Sequence, residues 1–258
     1  MFNWRNHTMK INSVFSKALL VTGTIVCTIG LQSCLDDDDN NYYYQKYPSA
    51  LVTVKSDAGG SMFLQLDDKT TLLPTNVKES PFGEKEVRAL VKYEEVNEPS
   101  GDYNKAVYIN WIDSILTKPI APDLGEENDE IYGTDPVEIV NDWVTIAEDG
   151  YLTLRFRTVW GGQEKHFVNL LLGQDPENPY EVEFRHNAHG DVYGETDDAL
   201  VAFKLDGLPD TEGKTVKLKL KWKSFSGDKS AEFDYCTRKS VTPSNPAVAA
   251  VRSKLKLE

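Results

Sequence analysis

The sequence predicts an all-β protein in two parts, a small closed barrel followed by a two-sheet sandwich. Three observations carry that prediction. Apolar residues recur with a period of two in one short run after another from Ala50 onward. Gly, Asp, Asn and Pro cluster between those runs, where chain reversals need them. From Pro136 to Lys239 no helical period competes with the alternation.

The chain opens with a segment of another kind. Lys10 and Lys17 precede an apolar run of about 14 residues, 18–31, which ends at Ser33 and Cys34. This is the layout of a secretory signal, and the run is too short to span a bilayer, which takes roughly 20 apolar residues. Leu31, Gln32, Ser33 and Cys34 resemble the bacterial lipobox, which implies cleavage after residue 33 and acylation of the Cys34 thiol. A mature lipoprotein carries two or three acyl chains, and at about 0.8 kcal/mol per buried methylene they hold it on a membrane without a hydrophobic helix.

Asp36, Asp37, Asp38 and Asp39 follow at once, and mutual repulsion keeps such a stretch extended and solvated. The run resembles the export signal that sends lipoproteins of one group of Gram-negative anaerobes to the outer cell face. That resemblance places the protein on the outer membrane, lipid-anchored and facing the exterior, with membrane lipid contacted through Cys34. The expected divisions are a signal peptide at 1–33 and an acidic tether at 34–46, with Tyr42, Tyr43 and Tyr44 in the tether.

A barrel domain is expected at 47–117. Ala50, Val52 and Val54 alternate with Leu51, Thr53 and Lys55; Asp57, Ala58, Gly59 and Gly60 then turn the chain into Met62, Leu64 and Leu66. Thr70 to Leu73 form a short extended piece ended by Pro74. Val87, Ala89, Val91 and Tyr93 alternate with Arg88, Lys92 and Glu94, and Val107, Ile109 and Trp111 repeat the pattern. Five short strands in about 70 residues suit closure, which removes edges that so small a sheet cannot hide.

Residues 118–136 combine Pro119, Pro122, Gly125 and Gly133 with many acids, the composition of an exposed interdomain linker. Asp123, Glu126, Glu127, Asp129 and Glu130 do not match the twelve-residue calcium loop, so a solvated acidic loop is the preferred reading. The sandwich domain is expected at 137–239, beginning with a strand from Trp143 to Ala147. Leu152, Leu154 and Phe156; Val168, Leu170 and Leu172; Tyr180, Val182 and Phe184; Val201, Phe203 and Leu205; Val216, Leu218, Leu220 and Trp222; and Phe233 and Tyr235 supply the rest. About seven strands joined by tight turns read as an Ig-like β-sandwich. The tail, 240–258, reads as one short basic helix or a last strand.

Charge and cysteines exclude some functions. The net charge is −13, and the signal removes Arg5, Lys10 and Lys17 but no acid, so the mature chain is more negative still. Such a chain does not bind nucleic acid, and it has no electrostatic attraction to anionic lipid. Of three cysteines, Cys27 leaves with the signal and Cys34 carries lipid. Cys236 is left without an intrachain partner, and neither a helix start nor a basic pair marks it as a nucleophile.

Beyond these features, the YPSALVTVK strand with Gly59 and Gly60, FLQLDDKTTLLP from Phe63, YLTLRF from Tyr151, and the RHN and GD of Arg185 to Asp191 resemble the NigD-like lipoproteins over essentially the whole mature chain. The resemblance implies an N-terminal OB-like barrel and a C-terminal β-sandwich. It also implies association with bacteriocin production or immunity, and it brings no mechanism or cofactor with it.

Several residues could carry chemistry. His186, His189 and Asp191 are the one ligand-like group, but His186 continues the inward parity of Val182 and Phe184, which favours a hydrogen-bonded histidine at the core edge over a metal ligand. Lys217, Lys219, Lys221 and Lys223 share one strand face, a candidate anion-binding face, although a solvated outer sheet that keeps an edge from aggregating is the preferred reading. Trp111 and Trp160 could stack a sugar, although core or turn positions are preferred for both. Asp113, Ser114 and Ile115 resemble an O-glycosylation acceptor of the same anaerobes, with Ser114 as the modified residue. There is no nucleophile-elbow motif, and the acids point to no glycosidase pair. The expectation is a non-catalytic binding or interaction protein whose partner is a protein or glycan at the cell surface. A glycan-binding lipoprotein is the alternative, marked by an exposed Trp or Tyr on a concave face, and an unrecognised hydrolase is a third reading, marked by a deep pocket with paired titratable groups.

Overall fold

The computed structural model describes residues 48–238. The lipid signal, Cys34, the aspartates at 36–39 and the tail from 240 lie outside them.

The barrel expected from five alternating runs is formed by β1 (Ala50–Ser56), β2 (Met62–Gln65), β3 (Thr71–Pro74), β4 (Val87–Glu95) and β5 (Lys105–Ser114). The strands close in the order β1-β2-β3-β5-β4, with only β3 and β5 parallel. Pro74 occupies the last position of β3, where the sheet tolerates a missing donor. Val52, Val54, Leu64, Leu72, Ala89, Val91 and Val107 fill the interior. Strand parity follows the alternation except at the end of β5, where a register shift opposite Lys92 and Tyr93 pairs Trp111 with outward Lys92 and brings Ile112 to the core in its place.

The sandwich follows. One sheet has the order β10 (Phe167–Leu172), β11 (Glu181–Asn187), β13 (Val216–Ser224), β14 (Gly227–Tyr235). The other has the order β6 (Leu116–Pro119), β12 (Glu195–Lys204), β9 (Tyr151–Trp160), β7 (Glu138–Val140), with β8 (Ile146–Glu148) also paired to β9. Leu152, Leu154, Phe156, Val182, Phe184, Phe203 and Leu220 pack between the sheets. Phe184 meets Phe156 and Phe203 at ring separations of 5.4 and 6.0 Å.

The stretch read as a linker holds more structure than its composition suggested. β6 pairs in parallel with β12, so Lys118 and Pro119 are part of a sandwich sheet. A 3-10 turn, Gly125–Glu127, leads into one short helix, α1 (Asn128–Tyr132), whose acids are mostly in water but whose Tyr132 is buried and donates to Pro122 O at 2.8 Å. The strand expected at 143–147 is shorter, covering Ile146–Glu148, because residues 142–145 form a turn.

The barrel's outer face corrects a simple inside-outside reading of the alternation. Leu51 and Thr53 are as buried as their inward neighbours, since that side of β1 packs on the sandwich. Leu51, Ile115, Val144, Tyr151 and Ala202 form a third apolar cluster. Arg88, on the outward parity of β4, is fully buried beside it. Its guanidinium donates to Thr53 Oγ1 at 3.0 Å and Thr153 Oγ1 at 3.4 Å, and pairs with Glu148 Oε2 at 3.3 Å. Lys55 reaches Asp149 at 2.9 Å, and Arg238 reaches Glu86 at 2.7 Å. Burial pushes the Lys55 and Arg88 pKa values down and that of Glu148 up. Burial works against Glu86 too, yet hydrogen bonds from Tyr151 and Arg238 hold its carboxyl below its ordinary value. Charges so placed are expensive to unpair, and they tie the two domains into one body.

Candidate functional site

The ligand-like group at 186–191 does not converge. His186 is buried on β11, whereas His189 sits in the following turn at φ 50°, exposed, with its ring edge-on to Phe167 at 5.0 Å. Among the described residues no group of three or more His, Cys, Asp or Glu is arranged to hold a metal ion. His186 instead meets His166, with Nε2 and Nδ1 2.9 Å apart, and His166 Nε2 lies 3.4 Å from Asp191 Oδ2. Trp160 stacks on His166 at 4.0 Å and 22°. His166 was missed in the sequence, though one signal was there: it stands two residues before Val168 and so shares that residue's inward parity.

The Asp191, His166 and His186 chain is sealed from solvent, with the His166 and Asp191 side chains 1% and 4% exposed. Burial, with His166 alongside, pushes the His186 pKa down to about 4, so its ring is neutral near pH 7. Burial opposes ionisation of Asp191, but backbone N–H groups of Gln163, Glu164 and Gly161 and the His166 ring hold its carboxyl below the usual range. The carboxylate thus pins the loop between β9 and β10. A Cβ on Gly161 would stand 1.9 Å from Asp191 Oδ1, which explains the glycine. The cluster holds the shape of the loop.

The lysine row has the expected orientation and a different electrostatic character. Lys217 pairs with Asp234 at 2.6 Å, while Lys219 and Lys221 share Glu181 at 2.9 and 3.2 Å. Lys219 and Lys217 are thereby held charged above the ordinary lysine value, and Glu181 below the ordinary carboxylate value. Two carboxylates thus answer three of the four ammoniums, which reduces the potential of the row without removing it. Trp111 is half-buried on β5 and Trp160 is half-buried against His166, its Nε1 donating to Asp197 O at 3.3 Å. Ser114 lies exposed at the end of β5. Cys236 is free and half-buried.

Two concave surfaces bear on binding. The first, about 480 Å³, opens where the parallel strands β11 and β13 part beyond the Phe184 and Trp222 pair. Residues 135–137 enter that gap, Asp135 N donating to His186 O at 3.0 Å and Val137 N to Lys223 O at 2.9 Å. Two of its cations are answered by acids, Arg185 by Asp129 at 2.6 Å and Lys229 by Glu138 at 2.8 Å. His186 Nδ1 and Trp222 Nε1, in lining residues, make no hydrogen bond among the described residues, but neither atom is open to solvent.

The second, about 370 Å³, lies at the junction of barrel and sandwich, with Leu90 from β4 on one side and Trp143, Arg155 and Asp197 on the other. Trp143 is 55% exposed although its neighbour Val144 is buried in the interdomain cluster. The turn that presents it is strapped. Asp142 Oδ1 accepts from Val144 N at 3.1 Å, Thr145 Oγ1 donates to Val140 O at 2.6 Å, and Arg155 N donates to that hydroxyl oxygen at 3.1 Å. Arg155 is fixed between Asp142, at 2.9 Å, and Asp198, at 2.6 Å. Hydrogen bonds from Arg157 and Arg155 hold the Asp198 carboxyl below its ordinary value. The result is an exposed indole beside a fixed array of paired arginines and aspartates.

Comparison with known proteins agrees with this architecture. Residues 51–115 match the model of the NigD-like N-terminal OB domain, and residues 119–235 that of the NigD-like C-terminal beta sandwich domain. A crystal structure from Parabacteroides distasonis ATCC 8503, of a protein whose name relates it provisionally to a toxin, is 34% identical, with 80% of this chain and 98% of that one covered and a TM-score of 0.62. A protein of unknown function from Bacteroides vulgatus ATCC 8482 is 22% identical over 78% and 97% of the two chains, TM-score 0.59. A NigD-like immunity protein from Bacteroides caccae ATCC 43185 is 22% identical over 74% and 98%, TM-score 0.52. No curated protein matches.

Proposed function

Because the chain belongs to the NigD-like family, we propose that it is an envelope lipoprotein, anchored through acylated Cys34 and displayed outward, that acts by binding and not by catalysis. The role is interaction at the cell surface, in bacteriocin production, immunity or a related contest between cells. The P. distasonis relative, provisionally tied to a toxin by its name, supports that setting.

The observation that carries the binding role is the junction groove. Its walls come from both domains, and buried Arg88 and the Lys55 and Arg238 ion pairs fix those domains to each other. A surface that keeps its shape before a partner arrives loses little freedom on binding. The groups best suited to proton transfer, His166 and His186, are sealed away and committed to one another.

Metabolic labelling with palmitate tests the anchor. The wild-type product takes up label and Cys34→Ser does not. Protease added to intact cells then removes the body of the wild-type protein, whereas replacing all four aspartates at 36–39 with alanine protects it. Label retained by Cys34→Ser, or a body protected in the wild type, would overturn the assignment.

A further inference from the structure

We propose that a cationic amphipathic peptide docks on the outer face of the sandwich, its apolar side chains on Ile131 and Phe167 and its lysines or arginines on the acids around them. This rests on the reading of the chain as a binding protein, and it adds to the junction groove a second surface with a partner of defined chemistry.

The apolar pair is the first ground. The turn and helix over residues 125–132 lie against the outer side of β11: Asn187 Nδ2 donates to Ile131 O at 3.4 Å, and a Cβ on Gly133 would stand 2.6 Å from Asn187 Cα. Tyr132 is spent on this packing, whereas Ile131 beside it is 52% exposed. Asn187 pairs across the sheet with Phe167 of β10, which is 50% exposed on the same face. Ile131 and Phe167 are thus near neighbours although 36 residues apart in the chain. The His189 ring, edge-on to Phe167 at 5.0 Å, props the phenyl in place. Apolar side chains exposed together and rimmed by polar ones mark a place where another molecule binds.

A third hollow, of about 600 Å³, opens beside Phe167 and His189, with residues 162–165 as its wall. That wall is fixed, because Asp191 holds Gln163 N at 3.3 Å and the His166 ring at 3.4 Å. A space of this size, next to an exposed ring, receives a bulky apolar side chain from a partner without rearrangement.

Charge gives the partner its sign. Glu126, Glu127, Asp129 and Glu130 stand exposed along the turn and helix with no base among them, and Glu127 and Glu130 flank Ile131 four positions and one position before it. Of these four, only Asp129 is ion-paired among the described residues, with Arg185, which Glu183 also shares. Glu164 adds an exposed acid in the wall of the hollow, beside one lysine, Lys165. The whole sequence carries −13, so a basic partner is attracted from a distance and an acidic one repelled.

The test uses the mature chain with Cys34→Ser so that it is soluble. The probe is a fluorescein-labelled peptide of about 18 residues, five helical turns, with leucines at helical spacing and lysines elsewhere. Fluorescence anisotropy at low salt shows micromolar binding, and versions with glutamate for lysine or serine for leucine bind at least about tenfold more weakly. Ile131→Ala and Phe167→Ala each weaken binding by about tenfold, whereas Phe167→Leu retains most of it. Glu126→Gln, Glu127→Gln and Glu130→Gln together weaken it and flatten its dependence on salt. All five positions are at the surface, and unchanged thermal melting confirms that the variants fold. Binding indifferent to both alanine changes, equal binding of the serine peptide, or no binding at millimolar peptide would each overturn the proposal. So would a dimer of the free chain, seen by light scattering, that Phe167→Ala dissolves, since a second copy would then be what covers this face. Palmitate labelling that persists when the peptide fails to bind would leave the envelope reading standing and remove only this partner.

Discussion

Burial of an unprotonated histidine makes this protein's stability depend on pH in a window set by His186. Its pKa falls from an ordinary 6.5 to about 4 in the folded chain, so between those values the unfolded chain binds a proton that the folded chain refuses. Stability is complete above pH 6.5 and declines as the pH falls towards 4. A displacement of that size amounts to about 3 kcal/mol in full, of which about 2 kcal/mol is lost between pH 7.5 and pH 5. The carboxylates held below their ordinary values, Asp191, Glu86 and Glu181, contribute stability that is present above the carboxylate range and lost only as the pH falls through it, a separate and lower window. Urea unfolding of wild type and His186→Phe across pH 7.5 to 5 isolates the term. The phenyl ring keeps the packing against Phe156, whose ring lies 6.3 Å away, and cannot titrate. The wild type loses about 2 kcal/mol over that range and the variant less than half as much. Parallel pH profiles for the two proteins would refute the argument.

Two substitutions test the packing around the site. Arg88→Met costs about 3 kcal/mol in urea unfolding, because Glu148 and two threonines lose their partner, and adding Glu148→Gln recovers part of the loss by removing the uncompensated carboxylate; equal stability of wild type and Arg88→Met would contradict this. Gly161→Ala forces a methyl group against Asp191 and lowers stability by about 2 kcal/mol, while the same change at Gly207, whose nearest neighbour stands 3.4 Å from the new Cβ, has a much smaller effect in the same assay.

The strand plan was legible because a period of two states directly which residues share a face. Val52, Val54, Leu152 and Leu154 all fall where their alternation puts them. The period does not say what the opposite face meets. Leu51, Thr53 and Arg88 look like the solvent side of a small sheet, and only the docking of the sandwich makes them interior. The same gap separates the lysine row's orientation, written in its spacing, from the pairing of Lys219 and Lys221 with Glu181, a residue about 40 positions away. His186 carried an inward signal, but its partner His166 comes from another strand's edge, 20 residues off, and no local pattern joins them. Trp143 was the residue placed worst. Beside Val144 and Ile146 it reads as strand, yet Asp142 and Thr145 bend the chain there and turn the indole outward. Turn bonds made by side chains override a short apolar alternation.

The account stands on a groove that opens outward from an anchored chain. Trp143→Cys, expressed in otherwise wild-type cells and treated with a membrane-impermeant maleimide, reads both properties at once. The account predicts modification on intact cells, above the level given by half-buried Cys236 in the wild-type protein. Modification that appears only after lysis would contradict it.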